Sequence, residues 1–410
     1  MRLVIVAITE VLRVYRRPMA GIPPGDAFHQ RLLTRPFVLL GIADLAYFTS
    51  VGVAIFTLPL FTTGPIGSDE AGAGLAFGAF GITALVCRPY AGRLSDNHGR
   101  IPLMLFGAVL AGLGMLMLPF VDSLAAVFVI RLMQGVAEAA FFVAGFALLA
   151  DIAPPSRMGE ALSYNSLGLY LGLALGPPLG EFLLEGWGYD AAWFGATALA
   201  ALAVLLTIPI VEPERAADVD GHGALIHRPG IPISLGFLAS LAAIGGFLAF
   251  ASLYSAEVGM ANASLVMLVY GSVVVGCRIV FAKVPDRLPS LPLGAASLVA
   301  IGTGLFVMAI WQAPAGLLLG AIVVAVGVTF STPAFFSAIF ATATPSERGA
   351  AAGTASACID LGFGIGPIAL GLVASSLGIP WALAAGAGVA FVGAVWTASL
   401  ARRATHVDLG

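Results

Sequence analysis

Long apolar runs broken by short polar stretches make up nearly the whole chain. From about residue 36 to 401 the runs each reach roughly 20 residues or more with few charges, the length that crosses a hydrocarbon core as a helix. Within each run the apolar positions are continuous instead of alternating with polar ones. That favours helices over the strands of a membrane barrel. Twelve spans are predicted, at about 36–62, 72–94, 102–120, 124–151, 160–184, 190–211, 231–257, 263–284, 291–311, 314–341, 349–375 and 379–401. The fold class is therefore an all-α integral membrane protein. Residues 1–35 hold "LVIVAITEVL" followed by "RVYRR". The apolar part is too short to span and no small-residue cleavage site follows, so a surface-lying amphipathic arm is expected there.

Composition agrees with the pattern. Of the 410 residues 59% are hydrophobic and 10% charged, against about a quarter charged in soluble domains. Charge placement adds orientation. Of 19 Lys and Arg residues, all but Arg131 fall in the terminal segments or at loops and helix ends on one side. Opposite loops such as "TTGPIGSDEAG" and "EGWGYD" carry acids only. By the excess of basic residues on the inner side, both termini are expected in the cytoplasm. Arg far outnumbers Lys, and Ala and Gly are abundant, a composition expected of a bacterial gene and hence an inner membrane. Cys87, Cys277 and Cys358 lie inside spans without CxxC spacing, so they are expected to be small buried hydrophobes, not metal ligands or disulfides.

The chain repeats itself at an offset of 190. "CRPYAGRLSDNHGR" (87–100) is answered by "CRIVFAKVPDRLPS" (277–290). The same offset pairs Gly81 with Gly271, Pro155-Ser156 with Pro345-Ser346, and Gly176-Pro177 with Gly366-Pro367. Six spans per copy give both copies the same orientation. The predicted organisation is a six-helix half at 36–212, a cytoplasmic linker at 213–230, a second six-helix half at 231–403 and a short tail at 404–410. Two parallel halves around a midplane site is a transporter architecture.

"GRLSDNHGR" resembles the loop between helices two and three of the major facilitator superfamily, through Gly92, Leu94, Asp96, Gly99 and Arg100. Asn97 and Ile101 stand where the family pattern has basic residues. The resemblance covers about residues 36 to 403 and implies a gating role for Asp96 and Arg100. Physically, Gly92 would let a helix end approach a neighbour and Gly99 would permit a turn. Arg100 is within expected reach of Asp151, and the group would latch the halves on the cytoplasmic side. "GLALGPPLGE" resembles a glycine-rich motif on helix five of proton-coupled drug exporters, with Gly172, Gly176, Pro177 and Gly180 in place and Glu181 replacing a final glycine. Spacing of four makes those glycines a close-packing stripe, and Pro177 is expected to bend the helix. "RLMQG" on span four, with Arg131, Gln134 and Gly135, resembles a family pattern tied to proton transfer.

Charges within the membrane are costly, roughly 2.5–3.5 kcal/mol each on insertion scales. Asp44, Arg131, Glu138 and Asp360 accept that cost. Arg88 and Arg278 are expected near inner helix ends, snorkelling to headgroups. Arg131, Gln134 and Glu138 share one helical face, expected to line a central cavity. All five histidines fall in segments expected to be cytoplasmic, so a proton carrier must be a carboxylate. Glu138 and Asp360 lead, followed by Asp44. Three carboxylates against Arg131 favour a cationic or zwitterionic substrate. Tyr47, Tyr254, Tyr270 and Asn165 are candidate lining residues.

The function expected is export of drug-like or natural-product small molecules by proton antiport. Import by proton symport and export of a metal-chelating metabolite stay open, and a non-transporting receptor is a further alternative. No nucleophile–base pair, metal cluster or phosphate loop is seen, so neither an enzyme nor a nucleic-acid binder is expected. No cofactor beyond the coupling proton is expected, and the expected state is a monomer in the lipid bilayer.

Overall fold

The computed structural model describes residues 32–154, 157–212, 227–281, 284–344 and 347–407. The predicted N-terminal arm up to residue 31, most of the linker and the last residues of the tail lie outside the described residues. Twelve main helices follow one another: α1 (Arg35–Thr63), α2 (Glu70–His98), α3 (Arg100–Met117), α4 (Leu124–Ile152), α5 (Met158–Trp187), α6 (Tyr189–Thr207), α7 (Ile231–Glu257), α8 (Leu265–Val280), α9 (Ser290–Ile310), α10 (Pro314–Phe340), α11 (Arg348–Leu377) and α12 (Ile379–Val407). No strand occurs among the described residues. Eleven helices are long and apolar enough to cross a membrane, and α8 is the shorter twelfth at 16 residues. The predicted span 263–284 is thus cut back, with a separate turn of helix at Val284–Arg287. In contrast α2 continues to His98 instead of stopping near 94, a difference that decides where Arg88 lies.

Local signals explain several boundaries. Asp69 caps α2 by accepting a hydrogen bond from the Gly72 amide at 2.9 Å, satisfying one of the orphan donors of a first turn. Gly188 (φ 87°) and Gly378 (φ 93°) make the tight turns that end α5 and α11. They are partners at the 190 offset, and each sits where a side chain would be strained. His227, expected in the linker, is buried against the second half, with its amide donating to Thr354 and its ring bonded to Thr342.

The offset is reproduced in the packing, which is stronger support for a repeat than identity alone. Gly172, Gly176 and Gly180 lay α5 against α1, with the Gly52 backbone where a Gly176 side chain would go. Gly362 and Gly366 do the same for α11 on α7, with Ala242 in the place of Gly52. In the first half, apolar cores form around Phe141 and Trp193. The second half has one around Phe247 and Phe335, which Phe56, Ala73 and Phe77 of the first half join.

The halves meet chiefly along two crossings, α2 with α11 and α5 with α8, with smaller contacts of α7 on α1 and α2. Gly74, Gly78 and Gly81 present bare backbone to Pro367, Gly364 and Asp360, and at the matching place Gly271 meets Ala174. These close approaches run from the end bearing the acidic loops to mid-depth. Towards the end bearing the basic residues, α4 and α10 make no extended contact, and Phe146 on α4 is exposed. The bundle is closed at its acidic end and open at its basic end. A side chain at Gly78 would collide with the Gly364 carbonyl and Ile368. Gly78→Leu is therefore expected to push the population out of this closed arrangement, and faster labelling of a cysteine at Ile368 by a water-soluble maleimide would report it.

Candidate functional site: a buried charge cluster between the halves

Because α2 stays helical to His98, Arg88 lies ten residues from its basic end, about 15 Å deep. Asp360 is at similar depth on α11, twelve residues from the helix start at Arg348. The two side chains form an ion pair across the halves, with Arg88 Nη2 donating to Asp360 Oδ1 at 2.8 Å and Nε also meeting the carboxylate. Asp360 is 3% exposed and the arginine side chain 14%. The Arg88 guanidinium also lies over the Phe142 ring, 4.7 Å from its centroid. Arg88 was expected to snorkel. It does not, because the α2 extension leaves headgroups out of reach and the facing helix supplies a carboxylate.

Glu138, buried on α4, faces the Tyr47 hydroxyl and lies within electrostatic range of Arg88, Asp360 and Arg131. Tyr47 is itself buried and stacked on Phe141, with ring centroids 3.9 Å apart. Asp44 accepts a hydrogen bond from Asn165 Nδ2 at 2.7 Å, which ties α1 to α5. Asn165→Ala would leave that buried carboxylate without its amide donor. The expected loss is about 1–3 kcal/mol of stability, read as a lower melting temperature with recovery in Asn165→Gln or Asn165→Ser.

Several sequence expectations need correction. Arg131 does not point into a cavity, although it shares a face with Glu138. Its guanidinium turns into the first half and donates to the carbonyls of Ala76 (2.9 Å) and Phe77 and to Gln134 Oε1 (2.7 Å). Gln134 in turn reaches Met115 Sδ. Tyr254 is no lining residue, since it is 2% exposed and its hydroxyl donates to the Met308 carbonyl in the core of the second half. Tyr270 is half-buried beside Phe247 and in electrostatic range of Tyr170 and Arg278.

At the basic end the contacts of Arg100 among the described residues lie within the first half. Arg100 pairs with Asp96 and, at 3.0 Å, with Asp151, while its amide donates to Glu212. Reach to Asp151 is as expected. Among the described residues no bridge runs from Arg100 to the second half, because the halves are apart at this end. A Cβ at Gly92 would meet nothing within 4 Å, so the close approach expected there is absent in this arrangement. Gly99 has φ 110°, as the turn requires. The matching Asp286 side chain lies outside the described residues.

Sequence reasoning also missed contacts at the acidic end. Glu181 on α5 accepts from the amides of Ala263 and Ser264 and from the Ser264 hydroxyl (2.5 Å), capping α8 of the other half. The sequence signal was present, since Glu181 is where the resembled motif has glycine.

The arrangement has counterparts among known proteins. A model of the Major Facilitator Superfamily matches residues 40–343. An uncharacterized MFS-type transporter of Burkholderia pseudomallei strain 1106a is 30% identical over 367 residues, covering 84% of this chain and 88% of that one. The crystal structure of a variant of the nucleoside transporter NupG superposes with TM-score 0.75 at 17% identity, covering 89% of this chain and 99% of that one. A bacterial homolog of the human lysosomal transporter Spinster, inward-facing and occupied, gives TM-score 0.74 at 13% identity over 93% and 98% of the two chains.

Proposed function

This chain belongs to the Major Facilitator Superfamily as a multi-pass membrane transporter, and we propose that it exports small organic molecules in exchange for protons. The observation that carries the proposal is the Arg88–Asp360 pair, a buried charge contact made between the halves and beside a second buried carboxylate, Glu138. In a carrier whose halves rock about their midplane, this pair acts as an interlock. With both groups charged and no cargo present, it holds the acidic end shut. A proton on Asp360 removes one charge. A cargo group that engages Arg88 or Asp360 competes for the other partner. Either event frees the halves to rock, and the empty, deprotonated carrier stays locked. That rule is what obligatory exchange needs.

By the positive-inside rule the open, basic end is read as cytoplasmic, with both termini inside, and the Arg-, Ala- and Gly-rich composition supports a bacterial inner membrane. Cargo would then enter from within, and protons arriving from outside would displace it. The glycine stripe of α5 on α1, which resembles exporters, supports that direction. The charge balance refines the expected cargo. Glu138 and Asp360 face Arg88, with Asp44 in electrostatic range of Glu138, so the site offers both signs of charge and a zwitterion suits it better than a simple cation. The test is purified protein in proteoliposomes holding a pH-sensitive dye, challenged with a panel of lipophilic cations, zwitterions and neutral drugs. Cargo and protons are expected to move oppositely, and movement in the same direction would replace export with symport.

A further inference from the structure

The 190 offset maps Arg88 to Arg278, and Asp360 back to Tyr170. The structure makes both contacts. Arg88 pairs with Asp360 across the α2–α11 crossing, and Arg278 Nη2 donates to the Tyr170 hydroxyl at 2.7 Å across the α5–α8 crossing. The two interfaces are copies of one contact, except that a carboxylate stands in one and a phenol in the other. Tyr170 leaves the Arg278 charge uncompensated. No carboxylate among the described residues lies within ion-pair distance of it, and its buried Nε has no hydrogen-bond partner. Unlike Arg131, whose donors are taken up by backbone carbonyls, this guanidinium keeps a donor open. The Tyr170 ring lies against it, 4.0 Å from the guanidinium carbon, and Tyr270 is close by.

We propose that Arg278, against the Tyr170 ring and within electrostatic range of Tyr270, is the recognition site for a carboxylate group of the transported molecule. This rests on the transporter reading above and names the cargo chemistry. The cargo's anion takes the place that Asp360 fills in the matching interface. A guanidinium fork accepts a carboxylate with two parallel hydrogen bonds, and the open Nε is one of those donors. The tyrosine rings offer flat apolar walls and hydroxyl donors, which suits a carboxylate carried on an aromatic or other planar body. Removing a cargo carboxylate would leave the Arg278 charge and its buried Nε unpaired again, so neutral analogues are rejected.

The test is equilibrium binding to full-length protein in detergent, with no proton gradient, so its outcome does not depend on coupling. The probes are 2-naphthoate, benzoate and hippurate, each set against its neutral amide, with 2-naphthylmethylamine as the cationic control. Wild-type protein is expected to bind a carboxylate saturably and to discriminate against its amide by at least roughly tenfold, the scale of a lost charge-assisted hydrogen bond. Arg278→Gln should lose that discrimination, and Arg278→Lys should retain part of it. The deciding variant is Tyr170→Asp, which writes the first interface into the second. It should fold, pair internally with Arg278 and lose carboxylate binding. Carboxylate binding unchanged in Tyr170→Asp, equal binding of acids and amides, or no binding of any carboxylate by the wild type would each overturn the assignment. Proton-coupled flux measured on the same variants keeps the two readings apart. A wild type that binds carboxylates without moving protons refutes the exchange mechanism and leaves the recognition site standing.

Discussion

Arg88→Ala is expected to be the most damaging single substitution in the bundle. It removes the only partner seen for Asp360 among the described residues and leaves two carboxylates, Asp360 and Glu138, facing each other across the centre. Breaking a buried ion pair by removing one member costs about 3–5 kcal/mol, because the other charge stays buried without compensation. Asp360→Ala should cost a similar amount by stranding the guanidinium. An apolar double replacement such as Arg88→Met with Asp360→Leu should recover most of that loss, since the pair's attraction is largely offset by its own desolvation. Recovery of stability without recovery of coupling is the expected signature, read from melting curves beside proton-linked flux. Equal stability of the Arg88→Ala variant and the wild type would show that the pair is not formed in the membrane.

Glu138→Gln should separate function from stability in the opposite way. The substitution keeps shape and the contact with Tyr47 while deleting a buried charge whose desolvation is costly. Stability is expected to hold or rise. Proton-driven accumulation of cargo should fall to the level of empty liposomes, whereas exchange of labelled for unlabelled cargo, which needs no net proton movement, should survive. Loss of both activities would make Glu138 a cargo ligand, and retention of both would make it a structural group.

Much of the architecture was legible because the bilayer imposes one rule on every span, and the apolar runs follow it closely. All twelve predicted spans have a helix, and the repeat at 190 is visible both in sequence and in packing. The charged centre was only half legible. Asp360, Glu138 and Asp44 stood out by their position in apolar runs. Arg88 did not, because its depth depends on where α2 ends, and a boundary moved by four residues turns a snorkelling arginine into a midplane one. Arg131 misled for another reason. Helical periodicity gives the face on which a residue sits, but a long side chain reaches whatever acceptor is nearest, here carbonyls of α2. The role of Glu181 was hidden because its partners, 82 and 83 residues on, are at the start of another helix, a contact that no local pattern announces.

The central claim is that the Arg88–Asp360 pair locks the empty, deprotonated carrier. Pulsed electron resonance on spin labels at Phe120 and Trp311, exposed positions at the acidic end of opposite halves, tests it most directly, in a background lacking Cys87, Cys277 and Cys358. In the absence of cargo a short distance is expected at high pH, where Asp360 is charged and the end is closed. Acidification neutralises Asp360 and should lengthen the distance, and Asp360→Asn should show the long distance at both extremes. A wild-type distance that ignores pH, together with an Asp360→Asn variant that stays closed, would contradict the account.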